Sequence, residues 1–150
     1  MVYNDEYFMN RALKLAEQAF NENEIPVGAI IVKDNKIIAE AYNKKDSSKL
    51  VTQHAEIIAI ESASKHFSDW RLNGCIIYVT MEPCPMCASA IQQSRITKIV
   101  YGCSSNVFEN SKIIEEILQN SRFNHQVVIE RGVLEGDCSK IIKKFFKLKR

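Results

Sequence analysis

The chain predicts an α/β fold in which one sheet is covered by helices on both faces. Three features of its 150 residues carry that expectation. Stretches with apolar residues at every third or fourth position alternate with short strand-like runs, the pattern of a sheet wrapped by helices. The run "CIIYVT" (75–80) is almost wholly apolar, as a strand buried on both sides must be. No repeat, low-complexity tract or Pro/Gly-rich linker divides the chain, so residues 1–150 are expected to form a single domain.

The elements follow in order. Residues 5–21 predict an amphipathic helix with Phe8, Ala12, Leu15, Ala16 and Ala19 on one stripe. Pro26 and Gly28 interrupt it, and "AIIVKDNKIIAEAY" (29–42) predicts a hairpin turning at Asp34-Asn35. Residues 54–66 give a second helix, with Ile57, Ile60 and Glu61 separating its faces. After the strand at 75–80 come a helix at 84–94, a strand at 97–102, a helix at 111–119, a strand at 126–133 and a last helix at 136–148. Periodicity leaves the order of the strands open.

At 46% hydrophobic and 25% charged, the chain has the composition of a folded globular protein and not of a disordered one. No apolar run approaches the roughly 20 residues of a membrane helix, and "MVYNDEYF" lacks the basic and apolar blocks of a signal peptide. A cytoplasmic protein without membrane partners is expected. Five cysteines, an odd number with one close pair, argue against a disulfide framework and for metal or catalytic use of that pair. The net charge of +2 conceals an asymmetry: "KIIKKFFKLKR" (140–150) holds six of the 20 basic residues and no acid, leaving 14 basic against 18 acidic residues elsewhere. A cationic tail on a mildly anionic body suggests a polyanionic partner.

The close pair lies in "MEPCPMCASA" (81–90). A catalytic zinc ion takes about three protein ligands and leaves one position for water. Cys84 and Cys87 supply two, and because Pro83 disfavours helix before it, both sulfurs fall in the first turn of the helix, where thiolates are favoured. The third must come from His54, His66 or His125, the only imidazoles. His54 opens a predicted helix with Glu56 two residues on, so an imidazole can face a metal while a carboxylate approaches the water on it. His66 ends that helix about three turns and roughly 18 Å away, and His125 has no acidic neighbour at useful spacing and reads as structural. Other readings compete. A structural zinc needs a fourth ligand, and Cys75, Cys103 and Cys138 are isolated; a redox pair or a buried packing pair leaves the His-Ala-Glu triplet idle; and Glu56 can be a plain surface residue. Two thiolates cancel the charge of Zn²⁺, which makes a nearby proton-accepting carboxylate more valuable.

His-x-Glu followed by Pro-Cys-x-x-Cys resembles the signature of the zinc-dependent base deaminases. The segments "NEIPVGAIIV", "AYN", "HAEIIAI", "DWRLNGCIIYVTMEPCPMCASAIQQSRI", "FNHQVVIERGVL" and "CSKIIKKFF" extend the resemblance to the bacterial tRNA adenosine deaminases along essentially the whole chain. The resemblance implies a three-layer α/β/α cytidine-deaminase-like fold with a central five-stranded mixed sheet, and a homodimer with each active site near the subunit interface. It implies hydrolytic conversion of adenosine to inosine at the wobble position of an arginine tRNA anticodon, by zinc-activated water with a glutamate proton shuttle and no organic cofactor. On the matching positions, His54, Cys84 and Cys87 would be the zinc ligands and Glu56 the shuttle. Asn43 would hydrogen-bond the flipped nucleoside, Ile25 would wall the base pocket, and Phe145 and Phe146 would lie near the bound anticodon loop.

The tail fits RNA on its own composition, since lysines around two phenylalanines join phosphate attraction to stacking surface. The competing reading is an amphipathic terminal helix with Ile141, Phe145 and Leu148 toward the core. Residues 102–114, "GCSSNVFENSKII", depart from the family pattern, with Ser105 in place of an acidic residue and "FENSK" in place of a Gly/Ala-rich run. That departure keeps two alternatives in view: a deaminase of free guanine, cytosine or cytidine, and a catalytically silent RNA-binding zinc protein.

Overall fold

The computed structural model describes residues 2–105 and 111–149, so the "NVFEN" part of the divergent segment lies outside the described residues. Helix α1 (Asp5–Asn21) begins where the Asn4 side chain accepts the Tyr7 amide, and buries its entire predicted stripe. Strands β1 (Gly28–Lys33) and β2 (Lys36–Tyr42) form the expected hairpin. Asp34 and Asn35 both take positive φ, 51° and 63°, the conformation that joins two twisted strands most tightly and that Asp and Asn tolerate best. A four-residue helix α2 (Lys45–Ser48), not expected from the sequence, precedes α3 (Ala55–Phe67). The chain continues through β3 (Ile76–Met81), α4 (Pro85–Gln93), β4 (Lys98–Cys103), α5 (Ser111–Gln119), β5 (Val128–Arg131) and α6 (Glu135–Leu148).

The five strands form one mixed sheet in the order β2-β1-β3-β4-β5, antiparallel from β2 to β3 and parallel from β3 to β5. Helices α3, α4 and α5 cover one face, where Ala59, Ile77, Ile91, Ile99 and Leu118 are buried together. Helices α1 and α6 cover the other, around Phe8, Met9, Ile30, Val100 and Cys138. Each fully buried isoleucine contributes about 1.5–3 kcal/mol. The three-layer arrangement agrees with the expected architecture.

Several sequence expectations are adjusted. The packed face of α3 is made of Ala55, Ala59 and Ala63, with Ile57 and Ile60 only partly buried on its flank, because small side chains let the helix lie close to the sheet. Strand β5 is shorter than 126–133, since Gly132 turns to φ 83° immediately after Arg131. Leu148 does not face the core: at the end of α6 it is 68% exposed, whereas Phe145 is buried. At Gly28 the backbone of α1 passes so close that a Cβ would collide with the Ala12 carbonyl.

The topology also builds a site. Because β1 runs antiparallel to both neighbours, its start lies beside the ends of β2 and β3: Gly28 pairs with Tyr42, the Gly28 amide donates to Thr80 Oγ1 at 3.2 Å, and the Asn43 amide donates to the Val27 carbonyl at 3.0 Å. Segments 24–27, 43–48 and 81–87, far apart in sequence, therefore meet at one end of these strands.

Candidate metal centre and active-site pocket

His54 and Cys84 are the N-cap residues of α3 and α4, each in extended backbone, and neither spends its side chain on capping. Two helix N-termini, with their unpaired amides and partial positive charge, thus converge on one point, and Cys87 lies one turn inside α4. His54 Nδ1 is 3.7 Å from Cys84 Sγ and 3.5 Å from Cys87 Sγ, and the three ligand atoms lie within 4.8 Å of one another. A tetrahedral zinc ion with bonds near 2.3 Å to sulfur and 2.0 Å to nitrogen holds such ligands about 3.6 Å apart. The donor set fits the metal in number, kind and spacing, and it is the one group of this kind among the described residues.

The electrostatics agree. Cys84 is drawn down to about 4, first by the hydrogen bond from Cys87, against burial, with help from His54. Cys87, as donor of that bond and buried, is pushed up, and the bond to Cys84 raises His54. Glu56 is 4% exposed, and burial pushes its carboxyl up to about 7 while its own amide and the Cys87 thiol hydrogen-bond to it. A carboxylate that exchanges its proton near neutrality suits general acid–base work.

Glu56 opens onto a cavity of about 590 Å³, lined also by Ile25, Asn43, His54, Met81 and Cys84. That volume is in the range of small-molecule sites. Asn43 is buried; its Nδ2 donates to the Ile25 carbonyl at 3.3 Å and its Oδ1 accepts the Lys45 amide at 3.2 Å. Each end of this amide keeps capacity for one more hydrogen bond.

The model of the cytidine and deoxycytidylate deaminase zinc-binding region matches residues 2–103. The chain belongs to the cytidine and deoxycytidylate deaminase family. The deaminase is 43% identical over 141 residues to the tRNA-specific adenosine deaminase of Streptococcus pyogenes serotype M18 (strain MGAS8232), covering 94% of this chain and 89% of that protein. A solved structure from studies of A-to-I editing by tRNA:A34 deaminases at the wobble position of transfer RNA superposes with a TM-score of 0.82, at 33% identity, over 90% of this chain and 98% of that one. The X-ray structure of guanine deaminase from Bacillus subtilis gives 0.65, at 42% identity, over 68% of this chain and 66% of that one.

Within the deaminase, the structure gathers His54, Cys84, Cys87, Glu56, Asn43 and Ile25 at one site, but not the two phenylalanines. Phe145 packs in the core edge-on to Phe20, with ring centroids 6.0 Å apart, and Phe146 is 44% exposed beside it on α6. His125 is structural as expected, its Nε2 bonded to the Ile96 carbonyl at 2.8 Å. His66 is exposed at the far end of α3. Three site residues escaped the sequence reading. Glu82, 2% exposed and next to Pro83, accepts from Tyr101 Oη at 3.0 Å; Tyr101 accepts from Arg131 Nε at 2.9 Å, and Arg131 pairs with Glu115 on α5. Glu24, 1% exposed, accepts the amides of Asp46 at 3.0 Å and Ser47 at 2.7 Å. Lys45 lines the cavity. Only the adjacency of Glu82 to the cysteine pair was a visible signal; Glu24 and Lys45 are 21 residues apart and read as ordinary surface charges.

Proposed function

We propose that this deaminase converts adenosine to inosine at the wobble position of a tRNA anticodon, with an arginine tRNA as substrate. The observation that carries deamination is the His54–Cys84–Cys87 triangle with buried Glu56 facing one nucleoside-sized cavity. The RNA substrate is supported by the tRNA-specific relative matched along 94% of the chain and by the lysine-rich α6.

In this reading His54, Cys84 and Cys87 would hold a zinc ion, whose chemistry there would be to lower the pKa of a water molecule so that it can attack near neutral pH. Glu56 takes the proton that water gives up on attacking C6 of adenine. It passes that proton to the ring nitrogen N1 and then relays the proton left on the added hydroxyl to the amino group, so that the C6=O bond forms as the C6–N bond breaks and ammonia leaves. Asn43 orients the nucleoside with its remaining hydrogen-bonding capacity, and Ile25 supplies an apolar wall that excludes water. Phe146, exposed between lysines, offers a stacking surface to the anticodon loop. The reading includes a homodimer, for which half-exposed Trp70, with Arg71 and Arg95 over its ring at 5.3 and 5.8 Å, offers a surface that a second copy could cover. It also includes a cytoplasmic location, which suits five free thiols; among the described residues no helix is long and apolar enough to cross a membrane.

The likeness to guanine deaminase favours a second reading, hydrolysis of a free purine base. One experiment separates them. Zinc-loaded protein is incubated with an arginine tRNA bearing adenosine at the wobble position, and separately with adenosine, cytidine and guanine. Inosine formed only in the tRNA supports the proposal; ammonia released only from a free base replaces it with the second reading. A zinc-replete protein inert on all four substrates is not a deaminase of these classes.

A further inference from the structure

The cavity is lined by two carboxyl side chains, Glu56 and Glu82, beside the sulfur of Cys84 and the imidazole of His54. A flipped nucleotide must bring its flanking phosphates to the mouth of such a pocket and keep them out of its depth, because like charges repel most strongly where water is excluded. Lys45 is the one lysine or arginine among the described residues that line the cavity. It is half-buried, and among the described residues its ammonium pairs with no carboxylate. Its neighbour Lys44 is turned away over the Tyr42 ring, at 4.9 Å from the centroid.

The backbone that presents Lys45, the first turn of α2, is tied down by buried side chains. Asn43 Oδ1 accepts the Lys45 amide at 3.2 Å, and buried Glu24 accepts the next two amides, at 3.0 and 2.7 Å. Glu24 is therefore a positioning residue for a cation at the rim.

We infer that Lys45 is a substrate-binding residue whose ammonium takes a phosphate flanking the target adenosine, so that the site selects a nucleotide within an RNA strand over a free nucleoside. The inference rests on the RNA reading above and names the group on this chain that enforces it.

The test uses the zinc-loaded full chain and an RNA anticodon stem-loop carrying the wobble adenosine. Initial rates are measured for wild type, Lys45→Ala and Lys45→Arg between 50 and 200 mM salt, on the order used to resolve phosphate contacts. Lys45→Ala is expected to raise KM about 5-fold with kcat and zinc content unchanged. It should also flatten the dependence of log KM on log salt by about 0.7, the loss of one single-strand phosphate contact. Lys45→Arg should restore both. An unchanged KM and salt slope in Lys45→Ala, with wild type active on the stem-loop, overturns this inference and leaves the RNA reading standing. A fall in kcat or zinc content with an unaltered salt slope also overturns it, since that is the signature of a structural role. Wild-type protein inactive on the stem-loop but active on a free base overturns the RNA reading, and this inference with it.

Discussion

Replacing Glu24 by Gln tests whether a buried carboxylate organises the pocket wall. Glu24 is 1% exposed, and its two oxygens accept the amides of Asp46 and Ser47 at 3.0 and 2.7 Å. Hydrogen bonds to a charged acceptor contribute about 1.5–3 kcal/mol each. Gln retains one acceptor but sets an N–H against the other amide. Asp46 and Ser47 are exposed residues, so water recovers part of the loss. A destabilisation of about 2 kcal/mol remains, or about 4–8 °C in Tm for a chain of this size. Burial alone would raise the carboxyl; the hydrogen bonds from the Ser47 side chain and the two amides outweigh it and hold Glu24 below its ordinary value. A depressed folded-state pKa means stability that is present above the unfolded carboxyl range and lost as pH falls through the folded value. Thermal melts of wild type and Glu24→Gln followed by circular dichroism should therefore differ at pH 7 and converge in acid, where the protonated carboxyl resembles the amide. Equal melting temperatures at pH 7, or a gap that persists unchanged at pH 3, would refute the reasoning. The variant should also raise KM for RNA more than it lowers kcat.

Further perturbations address the chemistry and the packing. Glu56→Ala should retain zinc by atomic absorption yet lose about 10²–10⁴ in turnover, and near-normal turnover would remove Glu56 from the mechanism. Cys87→Ala should lose zinc and activity together, because it deletes one of three ligands; activity surviving in metal-free protein would contradict the scheme. Gly28→Ala should destabilise by about 3 kcal/mol or more, since the new methyl meets the Ala12 carbonyl and lies 2.8 Å from the Ala16 amide nitrogen. An unaltered unfolding midpoint in urea would show that α1 is free to move off the sheet.

Much of the site was legible because metal chemistry restricts ligand types and helix starts restrict spacing. Cys84 and Cys87 flank Pro85 in one turn, and His54 and Glu56 flank Ala55 in another, so each half declared itself locally. The alternating pattern likewise specified the elements nearly to their ends, except where a tertiary contact intervened. The four residues of α2 lacked any periodic signal; they are ordered by Glu24, which lies 21 residues before Lys45. The competing reading of the tail placed Leu148 toward the core by helical spacing, but spacing says only which side chains share a face and not how far the neighbouring layer extends.

By itself, then, the sequence determined the two halves of the His54–Cys84–Cys87 group, the class of fold and the buried stripe of α1, each a property of residues near one another along the chain. The tertiary structure alone decided that β1 runs antiparallel between β2 and β3, and so brought Ile25, Asn43 and Cys84 together at one end of these strands. It also decided that Glu24 and Glu82 would be buried and hydrogen-bonded instead of solvated. The physical reason is that strand pairing and burial are set by contacts between distant segments, whose free energies are settled collectively and leave no period in the local sequence.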